Sequence, residues 1–160
     1  MNEFATIETP IGTLGIRTNA KGVFRLHLAN DVDYQEKKTP FHQYSPILKK
    51  ALKELQEYFE GSRKTFSVPL DLKMPPFYKK ALLEVAKVPF GKTVSYQEIA
   101  RRAGNQKASR AAGSANANNP IAIFIPCHRI LATNGTLGGY GGGLDTKMIL
   151  LEHEGVDVRL

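Results

Sequence analysis

The Pro75-Pro76 pair constrains this chain more than any other feature. Neither proline can donate a backbone hydrogen bond, and each disfavours the helical state in the residue before it, so no regular element runs through the pair. The 160 residues suffice for one ordinary domain or two small ones. The patterning changes character across the prolines, which predicts two: an N-terminal domain over 1–73 and a C-terminal domain over 74–160.

In the first half, residues 11–17 and 23–28 are short β-like stretches joined by Asn19-Ala20-Lys21-Gly22, a hairpin signal. Ile47, Leu48, Ala51, Leu52, Leu55, Tyr58 and Phe59 then recur at helical spacing, with Lys and Glu on the other side. Pro46 near the start and Gly61 just past the end are the expected brackets of a helix. Residues 66–72 read as a further strand. This half is α+β: a small antiparallel sheet plus a helix.

The second half is mainly helical. Phe77, Ala81, Leu82, Val85 and Ala86 form a stripe that stops at Pro89-Phe90-Gly91. Ser95-Tyr96-Gln97-Glu98 is a capping box that opens a helix running to Gly104. Residues 107–118 read as another helix, rich in Ala, Ser and Gly. Two short helices around a turn form a helix-turn-helix pattern, and an αα-hairpin that merely packs is the alternative. The second helix offers mainly methyl groups plus Arg110, a surface smooth enough for a minor groove about 6 Å wide and equally suited to close packing in a core.

Asn118-Asn119-Pro120 breaks that helix, and the apolar run 121–125, which should be buried, leads into Pro126-Cys127-His128-Arg129-Ile130. Asn134-Gly135 is a turn. Gly138-Gly139-Tyr140-Gly141-Gly142-Gly143 lacks the spacing and Lys of a phosphate loop, and suits close approach of backbone to a ligand. Asp145 is placed to cap a last helix, and Gly155 to end it.

A net charge of +7, from 22 Lys+Arg against 15 Asp+Glu, favours a polyanionic partner such as nucleic acid. No apolar run approaches the roughly 18 residues of a membrane span, and residues 1–9 contain no apolar signal core. A single cysteine rules out an internal disulfide and a multi-cysteine metal site, and a cytoplasmic location is expected. Lone cysteines are most often inert buried hydrophobes.

The neighbours of Cys127 point the other way. Pro126-Cys127-His128-Arg129-Ile130 resembles the active-site motif of O6-alkylguanine-DNA alkyltransferases. So do Thr93-Val94-Ser95-Tyr96-Gln97, Arg110-Ala111-Ala112-Gly113, Asn119-Pro120, Gly139-Tyr140-Gly141-Gly142-Gly143-Leu144 and Leu151-Glu152-His153-Glu154-Gly155. The match covers most of 75–155, while the first 70 residues resemble the family's variable N-terminal domain only in outline.

The resemblance implies a winged helix-turn-helix-like DNA-binding motif and direct reversal of damage. An alkyl group passes from O6-alkylguanine, or O4-alkylthymine, to Cys127, once per molecule. The lesion in double-stranded DNA is reached by base flipping through the minor groove. It implies His128 as a base acting through water, oriented by Glu154, and Asn119 as the hinge before the active-site segment. Tyr96 lies beside the lesion and helps the guanine leave. Arg110 is the finger that enters the duplex, on a helix whose Ser109, Ala111 and Gly113 meet the DNA. Pro126, Tyr140, Gly141 and Gly142 line the alkyl pocket, with Gly141 standing where the family often has Ser. No metal or cofactor is implied, and a monomer is expected. The family's zinc-bearing variants need cysteines absent before Cys127, and its non-repairing lesion binders carry Trp in place of the acceptor.

The chemistry wants these residue types. Displacement at a saturated carbon needs a soft nucleophile, and a free thiol with a pKa of about 8.5 is only slightly ionised at neutral pH. A base oriented by a carboxylate corrects this, and a hydroxyl that donates a proton eases departure of the guanine. The thioether product offers water no electrophilic carbonyl, so the protein is spent. The rival readings are a non-catalytic lesion sensor and a cysteine-dependent hydrolase, although no cysteine-protease signature surrounds Cys127.

Overall fold

Strand β1 (Glu3–Thr9) opens the chain and pairs antiparallel with β2 (Gly12–Asn19), which pairs antiparallel with β3 (Gly22–His27), in the order β1-β2-β3. The computed structural model describes residues 2–158, and the chain divides into two units, one ending at Leu72 and the other beginning at Lys73. The hairpin foreseen from the sequence is β2–β3; β1 was not foreseen. Its outer half alternates weakly, and its inner half buries Glu3, Phe4 and Ala5 on both faces, which breaks the period-two signature.

Glu3 makes that burial tolerable. Its carboxylate accepts from Thr18 Oγ1 at 2.7 Å, from the Ser45 backbone at 2.8 Å and from Ser45 Oγ at 2.5 Å. Burial alone would raise its pKa, but these donors hold it below the ordinary carboxylate value. Ser45 in turn caps helix α1 (Pro46–Glu60), accepting from the Leu48 N–H at 3.2 Å. The helix lays Leu48, Ala51, Leu55 and Tyr58 on the sheet core of Ala5, Leu14, Ile16 and Val23, all fully buried.

The strand expected over 66–72 is absent. Leu70 makes only an isolated parallel bridge to Val23. Pro69 has no N–H to donate, and the donors of Ser67 and Val68 are both taken at 3.0 Å by Glu54 of α1. The segment is tied down by a helix carboxylate rather than by a ladder.

The second unit contains α2 (Pro76–Val85), β4 (Val94–Ser95), α3 (Tyr96–Arg102), α4 (Ser109–Ala117), β5 (Ile130–Leu131) and α5 (Leu144–His153). Helices α3 and α4 form the helix-turn-helix and pack on each other and on α2. Ser95 caps α3 through the Glu98 N–H at 3.1 Å, but only half of the expected capping box forms. The Glu98 carboxylate binds Arg101 and Arg102 instead. Helix α4 begins two residues later than expected. Asp145 caps nothing: Gly143, with φ +94°, holds the position before α5, and Asp145 lies in the first turn. Gly155, at φ +81°, ends the helix as expected.

The apolar run 121–125 is buried throughout, but as a compact turn. The Ile125 N–H reaches the Ile121 carbonyl at 2.9 Å, and Ile123 sits at φ +73°. A β-branched residue there stores on the order of 1–3 kcal/mol of strain, offset by complete burial of its side chain. Two rungs of parallel ladder, Val94↔Ile130 and Ser95↔Leu131, then join the segment after Cys127 to the start of α3.

Gly22 and Gly61 test the account of the first unit. Gly61 sits at φ +87° in open space, so Gly61→Ala should cost about 1 kcal/mol in urea unfolding. At Gly22, φ +150°, a Cβ would lie 2.3 Å from the Pro69 carbonyl oxygen, so Gly22→Ala should cost several times more, about 3 kcal/mol.

Candidate active site

Cys127 begins a single 3-10 turn, Cys127–Arg129, and is 5% exposed. Burial raises its thiol pKa. Against this act Asn119, the positive charge of Lys147, the local backbone and Tyr140, each of which favours the anion. The resting group is therefore a thiol surrounded by groups that favour its anion.

Asn119 has two tasks. Its Nδ2 donates to the Ile125 carbonyl at 2.8 Å, while its Oδ1 accepts from the Ile121 N–H at 3.0 Å. The amide thus staples both ends of the strained turn that delivers Cys127. The sequence gives no sign of Lys147, because one Lys within a helix carries no signal of burial. Its side chain is fully buried and donates to the carbonyls of Ile130 (2.7 Å), Leu137 and Gly139 (3.4 Å). Burial lowers its pKa to about 8, partly opposed by Cys127.

His128 is wholly buried and does not supply a hydrogen bond to the thiol. Its Nε2 lies 2.7 Å from Glu154 Oε2. A carboxylate can only accept, so Nε2 carries the hydrogen and Nδ1 is the bare acceptor, buried and without a protein partner. Burial pushes the His128 pKa down more than Glu154 raises it, with Arg129 and Lys147 also opposing a second charge. The ring is neutral and able to take a proton.

Glu154 is shared with Arg129, a motif residue to which no role was given. Arg129 Nε reaches Oε1 at 2.7 Å, Nη2 reaches Oε2 at 2.9 Å, and Nη1 donates to the Val88 carbonyl at 2.6 Å. The fork is bidentate and buried, the strong form of such a pair.

Tyr96 starts α3 and is half-buried; burial raises its phenol pKa, Asn116 opposes the shift and a charge on Cys127 would add to it. Its ring and hydroxyl face Gly138, at φ +69°, where a Cβ would lie 3.0 Å from Oη. The glycine there permits close approach of the backbone to the Tyr96 ring rather than to a ligand. Tyr140 is half-buried and favours the Cys127 anion, whereas Gly141 is exposed with open space where a Cβ would stand. Gly142 is half-buried, and Pro126 is buried immediately before the turn.

On α4, Arg110 is exposed, and Ser109, Ala111 and Gly113 are half-buried. Ala112 and Ala115 are buried, so part of the helix's small-residue content serves packing and the rest its outer surface. The structure brings together Cys127, Asn119, Tyr140 and Lys147, and separately His128, Glu154 and Arg129.

Glu154→Gln leaves Arg129 buried without its counter-charge and should destabilise the fold by about 3–5 kcal/mol in urea unfolding. Lys147 is charged below about 8 and supports the Cys127 anion, so Lys147→Met should move the midpoint of Cys127 reactivity toward iodoacetamide upward by about one pH unit. The folded pKa of Lys147 lies below its ordinary 10.5, so its charge costs stability at neutral pH, a cost that fades between about 8 and 10.5.

Two family models match this chain. Residues 3–72 match the ribonuclease-like domain of 6-O-methylguanine DNA methyltransferase, and residues 76–156 match its DNA binding domain. The chain is 40% identical over 163 residues to the constitutive methylated-DNA–protein-cysteine methyltransferase of Bacillus subtilis, covering 99% of each. The crystal structure of Mycobacterium tuberculosis O6-methylguanine methyltransferase superposes with a TM-score of 0.81 at 35% identity, covering 96% of this chain and 93% of that one. A structure from the same organism in complex with DNA gives 0.84 at 36% identity, covering 94% and 91%. With both halves matched and relatives aligned over nearly their full length, the chain belongs to the 6-O-methylguanine DNA methyltransferase family.

Proposed function

We propose that this protein, acting as a monomer, repairs duplex DNA by moving an alkyl group from O6 of guanine, and from O4 of thymine, onto Cys127 in a single turnover. The observation that carries the reading is the buried thiol whose anion is favoured by Asn119, Lys147 and Tyr140, with His128 next to it in the chain and paired to Glu154. This is a nucleophile kept as a thiol at rest and stabilised as soon as it ionises.

The thiol proton passes through a water to His128 Nδ1, the acceptor that Glu154 leaves bare by holding Nε2. Sγ then bonds to the alkyl carbon as the bond from that carbon to O6 breaks, and the electron pair moves onto the guanine. The Tyr96 phenol, kept protonated by burial, gives its proton to the departing base. The products are unmodified guanine and a thioether. Water has no carbonyl to attack in that thioether, so the site is not regenerated.

A stacked guanine cannot reach a thiol that is 5% exposed, so the nucleotide is flipped out at a cost of a few kcal/mol. The exposed Arg110 fills the vacated space, and the half-buried Ser109, Ala111 and Gly113 let α4 press into the minor groove. Pro126, Tyr140, Gly141 and Gly142 border the alkyl group. In this reading, 74–160 is the DNA-binding and alkyl-transfer domain and 1–73 supports it. The solved relative in complex with DNA and the net charge of +7 support duplex DNA as the partner. Affinity should fall with salt and depend little on flanking sequence.

Mass spectrometry after mixing with duplex DNA containing O6-methylguanine tests this directly. Wild-type protein should gain one methyl group on Cys127, never more than one per chain, and Cys127→Ala none. An unchanged mass despite binding would instead fit a lesion sensor, and turnover of a peptide or ester beyond one equivalent would fit a hydrolase.

A further inference from the structure

The first unit presents a surface that neither its own packing nor the transfer chemistry uses. From Lys37 to Lys53 the chain holds five lysines and no Asp or Glu. The rest of that unit carries five Lys and Arg against nine Asp and Glu, so its charge is strongly polarised. Lys37, Lys38, Lys49, Lys50 and Lys53 are all exposed, and among the described residues none of them is in an ion pair.

Between the two lysine pairs in the chain stands Phe41, 78% exposed, its ring 5.3 Å from that of the half-buried Tyr44 and tilted by 58°. An exposed aromatic alone is ordinary, but this one is held rigidly. The Thr39 N–H donates to the Phe4 carbonyl at 2.8 Å, and Thr39 Oγ1 accepts from the Phe4 N–H at 3.0 Å. Five residues beyond Phe4's partner, the Ser45–Glu3 contact ties Tyr44's neighbour to the same strand β1. Between those anchors Pro40 and a single 3-10 turn, Phe41–Gln43, fix the backbone, with the Gln43 N–H on the Pro40 carbonyl at 2.8 Å. The ring is thus presented without the ordering cost of a loose loop.

A rigid, open ring in a lysine-rich stretch without a carboxylate fits an unpaired nucleic-acid strand, whose bases stack and whose phosphates attract ammonium groups. A duplex offers phosphates but keeps its base faces inside the stack. The same chain matches a DNA binding domain over residues 76–156, so DNA is the strand it meets. We propose that residues 37–53 form a second, sequence-independent DNA contact, in which a base of single-stranded DNA stacks on Phe41 while Lys37, Lys38, Lys49 and Lys50 hold the neighbouring phosphates. The surface lies wholly in the first unit, so the proposal does not rest on the chemistry at Cys127.

Fluorescence anisotropy measures binding of an oligothymidylate of about 16 bases by the full-length protein. Phe41→Ala, which removes an exposed ring and should leave the fold intact, should weaken that binding about fivefold or more. Its affinity for a blunt duplex of similar length, and its methyl transfer from O6-methylguanine duplex, should stay within about twofold of wild type. The Lys37→Ala/Lys38→Ala variant should lower the slope of log affinity against log salt by about 1.4 for the single strand. Ultraviolet crosslinking of an iodouracil-substituted strand, read by peptide mass spectrometry, should place an adduct on Phe41 or Tyr44. Adducts confined to residues 73–160, unchanged single-strand affinity in Phe41→Ala, or an unchanged salt slope in the lysine variant each overturn the proposal. So does a dimer formed without DNA that Phe41→Ala dissociates in sedimentation, because the ring then belongs to an interface with a second copy.

Discussion

The buried carboxylate of Glu154 is the constraint on which the second unit depends. It accepts from His128 on one side and from both ends of the Arg129 fork on the other, and so binds α5 to the turn carrying Cys127. Two cationic or potentially cationic groups compete for one negative charge in a buried place. Arg129 cannot give up its proton, so His128 does without one. The consequence is chemical as well as structural. A carboxylate already neutralised by arginine orients the imidazole and fixes its tautomer without drawing the ring into its charged form.

The thiol is governed by a similar balance. Burial pushes it toward the neutral state, while Asn119, Lys147 and Tyr140 pull toward the anion. Lys147 holds a depressed pKa of its own, and an anion on Cys127 raises it, so each charge is more stable when the other is present. A thiol that resists ionising in isolation is guarded against stray electrophiles and oxidants.

Much of this was readable before any coordinates. The helical stripe over α1, the buried run before Cys127 and the turns at Asn19 and Asn134 follow from periodicity, capping and turn chemistry. What escaped has identifiable causes. The inner half of β1 buries both faces, so alternation vanished there. Residues 66–72 looked like a strand because pattern cannot show that Glu54, a dozen residues earlier, claims their donors. In the site, the motif around Cys127 was visible as a resemblance, whereas Lys147 and Arg129 act through long-range partners. A buried Lys binding three carbonyls and a surface Lys are the same letter at the same helical phase.

The short ladder between β4 and β5 has a further consequence. Two rungs, Val94 to Ile130 and Ser95 to Leu131, join the chain just before Tyr96 to the chain just after the Cys127 turn. Insertions in the turn between α3 and α4, or in the glycine-rich stretch after β5, leave those rungs untouched. The spacing of phenol and thiol is thus insulated from the length of the loops that meet the outside world. Such loops can be lengthened or recomposed over evolutionary time, changing what is admitted, while the reacting groups keep their places.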